Sequence, residues 1–171
     1  PACTHCYAEI MSARLSTMPQ APFRYHVDVI RLGRWTGRLS YDSAALVAAF
    51  PLLRRPGVRV FANSMSDTFH QNAPATSLTD LAEAIKGMGD SARGVLMLLT
   101  KRPDRLLAWQ REHFPEGLPA WVWVGCTVED QPRADERIPL LLQVQAAVRF
   151  LSCEPLLGLV SLPVQKTCCG F

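Results

Sequence analysis

The sequence predicts an α/β protein of alternating βα units built on a parallel sheet. Short runs such as VRVFANS, GVLMLLT and WVWVGCT are apolar through their whole length, as strands covered on both faces are. Longer amphipathic segments with recognisable start and stop residues separate them. No internal repeat and no low-complexity stretch interrupts the alternation.

Taken in order, Tyr25–Leu32 (YHVDVIRL) alternates with period two and reads as a strand. Ser43–Leu53 reads as a helix capped by Asp42 or Ser43 and disturbed near its end by Pro51. Val58–Ser64 is a buried strand. Ser77 is expected to cap the helix LTDLAEAIKGM, which Gly87 and Gly89 close. Gly94–Thr100 is the next strand, followed by a helix from about Pro103 to Glu112 with proline in its first turn. Trp121–Thr127 is a strand. The helix Gln131–Leu142 contains Pro139, where it is expected to kink or stop. Val148–Pro155 is the last strand. Periodicity fits a closed or partial TIM-type barrel and an open doubly wound sheet equally well.

Each strand is apolar in its body and polar at its C-terminal end. VRVFA runs into Asn63, Ser64, Ser66 and Asp67, and VLMLL into Thr100, Lys101 and Arg102. WVWVG runs into Cys126, Thr127, Glu129 and Asp130, and VRFL into Ser152, Cys153 and Glu154. Parallel α/β folds bring those ends to one rim, where ligand sites form. Ser, Thr and Asp are also common helix caps. Lysine and arginine are poor N-caps, however, so charges of both signs on successive ends favour a ligand site.

The 171 residues suit one domain, and 49% hydrophobic against 19% charged residues exclude a disordered chain. The net charge of +3 permits a polyanionic partner without requiring one. No run approaches the roughly 20 apolar residues of a membrane span, and no signal peptide is legible. A reducing cytoplasm is the expected compartment, where six cysteines point to metal or redox chemistry before disulfides.

Cys3 and Cys6 form a C-x-x-C pair, which can supply half a zinc site, a redox dithiol, or two thiolates of an iron–sulfur cluster. For zinc, the adjacent Cys168 and Cys169 make awkward partners, and His5 and His26 lack standard spacing. A thioredoxin-like pair needs a preceding strand. Cluster ligation with a further cysteine upstream remains. Cys126 and Cys153, at apolar strand ends, read more simply as inert thiols.

PACTHCYAE, VFANSMSDTFH, LLTKRP, VGCTVEDQPRADERIPLLLQ and VRFLSCEPLLG, in this order over Pro1 to about Leu162, resemble the phage Gp37/Gp68 family (DUF5131-type). That family in turn resembles radical S-adenosylmethionine enzymes. The resemblance implies a partial TIM-type barrel with a parallel sheet. It also implies a single α/β domain over 1–171 cut inside its motif at the start and fragmentary at the end, with open edges that favour aggregation. By resemblance, Cys3 and Cys6 are two of three ligands to a [4Fe–4S] cluster whose open iron takes S-adenosylmethionine. Reductive cleavage by an external reductant then yields a 5′-deoxyadenosyl radical that abstracts hydrogen from a substrate not identified by sequence. His5 falls where such enzymes contact adenine. Lys101, Glu129 and Glu154 are then the candidate catalytic residues. Tyr7, Asn63, Ser64, Ser66, Asp67, Arg102 and Asp130 join His5 as candidate cofactor contacts.

Two other classes compete. Arg31, Arg34 and Arg38 surround Trp35, a basic–aromatic mixture that suits nucleic acid in a non-catalytic phage or mobile-element module, though a solvated loop explains it more simply. A zinc-stabilised domain is the third reading.

Overall fold

The computed structural model describes residues 6–18 and 26–162. Cys3, His5, Tyr25, Cys168 and Cys169 lie outside the described residues.

The N-terminal part is a small helix–hairpin unit. Helix α1 (Tyr7–Leu15) is followed by a single helical turn, α2 (His26–Val29), and by β1 (Ile30–Arg31) paired antiparallel with β2 (Arg34–Trp35). The strand expected over Tyr25–Leu32 is therefore not formed. Its first part is a helical turn and only Ile30–Arg31 is extended, because a two-residue turn at Leu32–Gly33 closes the hairpin at once. Both turn residues have positive φ, +49° at Leu32 and +73° at Gly33, as a tight hairpin matching strand twist requires. Glu9 fastens the hairpin to α1: its carboxylate accepts from the Trp35 N–H at 2.9 Å and from Arg34 at 3.2 Å.

The main body alternates as expected. Helix α3 (Ser43–Ala49), capped by Asp42 accepting from Ala45 N–H, tightens into a 3-10 turn at Phe50–Arg54 where Pro51 enters. Strand β3 (Arg59–Ala62), helix α4 (Ala75–Met88), strand β4 (Val95–Thr100), helix α5 (Pro103–His113), strand β5 (Val122–Thr127), helix α6 (Gln131–Gln143) and strand β6 (Arg149–Ser152) follow. Two expectations need correction. Helix α4 begins before Ser77, whose hydroxyl donates to the Pro74 carbonyl from inside the first turn. Helix α6 runs through Pro139 without stopping. Pro139 lies on the exposed face, where water can take up the carbonyl that its missing N–H leaves free.

The four strands form one parallel sheet in the order β3-β4-β5-β6. The order follows the chain without reversing, so it lacks the switch point of a doubly wound sheet. Among the described residues the sheet is open, and no closed barrel is formed. Register sets Val60, Leu96, Val122, Val124, Cys126 and Leu151 on one face. They pack with Leu81 and Ile85 of α4, Leu106 and Trp109 of α5, and Ala134 and Leu141 of α6. The opposite face carries Phe61, Met97, Leu99, Trp123 and Phe150 and is only partly covered, with Phe61 46% exposed.

On that face Gly125 stands beside Phe150, whose ring lies across it; an added Cβ would fall 2.5 Å from the ring. Gly125→Ala should therefore displace Phe150 and destabilise the fold by about 1–3 kcal/mol, the usual cost of overpacking. Urea denaturation of the variant beside Phe150→Leu/Gly125→Ala, which removes the obstructing ring, checks this. The double change should recover part of the loss.

Candidate functional site

Parallel register brings the four strand ends together, with Ala62 beside Leu98, Thr100 beside Cys126, and Thr127 beside Ser152. The polar residues that follow them share one rim.

Two ionic nodes organise it. The first is Glu129, buried at 4% exposure just beyond β5. One of its oxygens accepts from the Lys101 ammonium and the other from Arg137 Nη1 at 2.8 Å. The same Arg137 nitrogen donates to the Thr127 carbonyl at 2.6 Å, and the Glu129 carbonyl accepts from Leu157 N–H at 2.7 Å. A buried carboxylate is tolerable only with such partners. With two cations on one anion, the node carries an excess positive charge, and Lys101 keeps about a fifth of its side chain exposed at 22%.

The second node is Asp67, in the loop after β3. Its Oδ1 accepts from Thr100 Oγ1 at 2.7 Å and from Phe69 N–H at 3.0 Å. Its Oδ2 accepts from Arg102 Nη1 at 2.7 Å and from Lys101 N–H at 3.3 Å. Four donors occupy the acceptor sites of this carboxylate. Asp67 thus joins the β3–α4 loop to the β4–α5 turn.

The remaining sequence candidates scatter in role. Asn63 donates from its side-chain amide to Thr68 Oγ1 at 2.8 Å and is half-buried. Ser64 and Ser66 are exposed. Asp130 caps α6, accepting from Arg133 N–H at 3.0 Å. Glu154 is exposed on the flank of the rim, one residue past exposed Cys153. Buried Cys126 has its thiol pushed up to about 11, chiefly by burial. The ionic core that the structure brings together is Lys101, Glu129, Asp67 and Arg102.

The head of α1 reaches the same rim. Tyr7, next to Cys6, donates its hydroxyl to the Ser64 carbonyl at 2.5 Å, so the head of α1 is held against the end of β3. Cys6 is half-buried at the N-cap of that helix. Among the described residues, no three His, Cys, Asp or Glu side chains are grouped to hold a metal ion.

Arg137 and His70 were missed by sequence reasoning. Arg137 was visible in principle: Ala134, Arg137 and Leu141 form the buried stripe of α6, and a cation on an apolar stripe needs a buried partner. His70 sits three residues after Asp67, its titration lowered chiefly by burial and then by Arg102. A broad shallow cavity of about 540 Å³, lined by Pro115, Glu116, Gly117, Leu118, Gln145 and Arg149 among others, opens at the opposite end, where β5 and β6 begin. It holds no comparable convergence of charge.

No curated protein and no solved structure matches the chain. A family model does match, over residues 1–168. The chain belongs to the family described as protein of unknown function (DUF5131).

Proposed function

We propose that the protein is a radical S-adenosylmethionine-type iron–sulfur protein of the phage Gp37/Gp68 kind, its sheet forming part of a TIM-type barrel. The observation that carries this reading is the Tyr7–Ser64 hydrogen bond, which holds the head of α1, with Cys6 beside it, against the rim that bears Lys101, Glu129, Asp67 and Arg102. Sequential strand order without reversal is also the order of consecutive strands in such a barrel. The half-buried Cys6 at the head of α1 suits a thiolate ligand, with Cys3 as its partner in the motif.

When bound, the [4Fe–4S] cluster supplies one-electron cleavage of S-adenosylmethionine at the expense of an external reductant. The chain's own residues bind and orient. Glu129, fixed from behind by Arg137, holds the Lys101 ammonium in one place at the rim, pre-organised for an anionic ligand group. Asp67 does the same for Arg102. Glu154 flanks the rim in solvent, available to a substrate larger than the cofactor.

The nucleic-acid reading gains no support from the hairpin. Arg34 is paired with Glu9, and Trp35 is half-buried.

Anaerobic reconstitution of the protein expressed from its full natural reading frame tests the proposal. Iron and sulfide should bind in the wild type and be lost in Cys6→Ala, while Cys153→Ala should retain them. Equal iron in Cys6→Ala and the wild type would remove the cluster from this motif.

A further inference from the structure

The positive charge beside Asp67 exceeds what Asp67 balances. Arg102 and Arg105 lie three residues apart at the start of α5, on neighbouring positions of one helix face. Arg102 uses Nη1 on Asp67, at 2.7 Å, and Arg105 uses Nη1 on the His70 carbonyl, at 2.6 Å. Each guanidinium presents five N–H donors. Among the described residues, no other acceptor is bonded to either. Both side chains are half-buried, so they are held in place while their remaining donors stay reachable.

His70 completes the group. Its Nδ1 accepts from the Asn72 N–H at 3.2 Å, which places the proton of the neutral ring on Nε2. No acceptor among the described residues takes that Nε2–H. The ring is kept neutral chiefly by burial and then by the Arg102 charge, with Asp67 opposing. A neutral imidazole within reach of the Arg102 and Arg105 charges contributes a donor without adding charge repulsion.

We propose that His70, Arg102 and Arg105 form a binding site for a small oxyanion, borne by its ligand as a phosphate ester or a carboxylate. Guanidinium donors match both groups, and charge-assisted hydrogen bonds are the strong ones. Asp67 is not a competitor for the ligand, because its oxygens are already occupied by four donors; it fixes Arg102. The site stands on the loop and helix after β3 and β4, and it requires neither metal nor S-adenosylmethionine. It therefore stands or falls separately from the cluster reading.

The test is a titration with inorganic phosphate and, separately, acetate, at neutral pH and constant ionic strength held with sodium chloride. The His70 ring nitrogens are followed by NMR and affinity by calorimetry. Phosphate or acetate should move the His70 resonances saturably, and the anion that does so identifies the class of ligand. Binding should weaken about tenfold or more in Arg105→Gln, the equivalent of losing one charge-assisted hydrogen bond. His70→Gln, which keeps an acceptor for the Asn72 N–H, should weaken it as well and serves if Arg105→Gln does not fold. No saturable response to either anion, or equal binding in wild type and both variants, would overturn the proposal.

Discussion

Replacing Glu129 with alanine is expected to destabilise the fold by about 3–5 kcal/mol, the range for breaking a buried ion pair by removing one partner. Arg137 is the reason. Its side chain is 10% exposed and comes from the inner stripe of α6, so it cannot swing out to water when its carboxylate disappears. Lys101, at 22% exposure, can do so and adds less. Glu129→Gln keeps the shape and one acceptor oxygen, and should fall between alanine and wild type. The double variant Glu129→Ala/Arg137→Met removes the stranded cation and should recover much of the loss, since a buried ion pair replaced by apolar groups is often neutral. Denaturant midpoints of the four proteins measure this directly. An alanine variant within about 0.5 kcal/mol of wild type, the scale of an ordinary surface change, would mean that the node is solvated and idle.

Asp67→Ala comes next, with an expected loss of about 2–4 kcal/mol from its four hydrogen bonds, two of them to the backbone. The loss is held below that of Glu129 because Arg102 reaches solvent at 22% side-chain exposure. The effect should also be local. Amide exchange should quicken at Phe69 and Lys101, whose N–H groups lose their acceptor, before it changes in β5. Asp67→Asn, with a single acceptor oxygen, should retain part of the protection. Uniform quickening across the sheet would show instead that Asp67 supports the whole core.

The reach of the sequence follows from the physics of each element. Strands β3 to β6 and helices α5 and α6 were legible because each is long enough for its apolar pattern to be unambiguous and is bounded by capping or turn residues. The N-terminal hairpin was not. Two residues per strand cannot display a period, and the alternation in YHVDVIRL belongs to a helical turn joined to a short strand. Pro139 misled because its effect depends on which face of the helix it occupies.

The candidate site was legible as a set and illegible as a network. Polar residues after four parallel strands must meet on one rim, so Lys101, Arg102, Glu129 and Asp67 could be gathered from sequence. Which carboxylate takes which cation depends on register and loop path. Adjacent Lys101 and Arg102 turn to different strands' loops, one to Glu129 and the other to Asp67. Arg137 lies on the buried stripe of α6, so the helical period could have flagged it, but its partner Glu129 is set by packing.

The most direct test of the functional reading is electron paramagnetic resonance of the anaerobically reconstituted, dithionite-reduced protein with and without S-adenosylmethionine. The account predicts a reduced [4Fe–4S] signal that changes on adding the cofactor and is absent in Cys6→Ala. A cluster signal that the cofactor leaves unchanged, or no cluster signal at all, would contradict it.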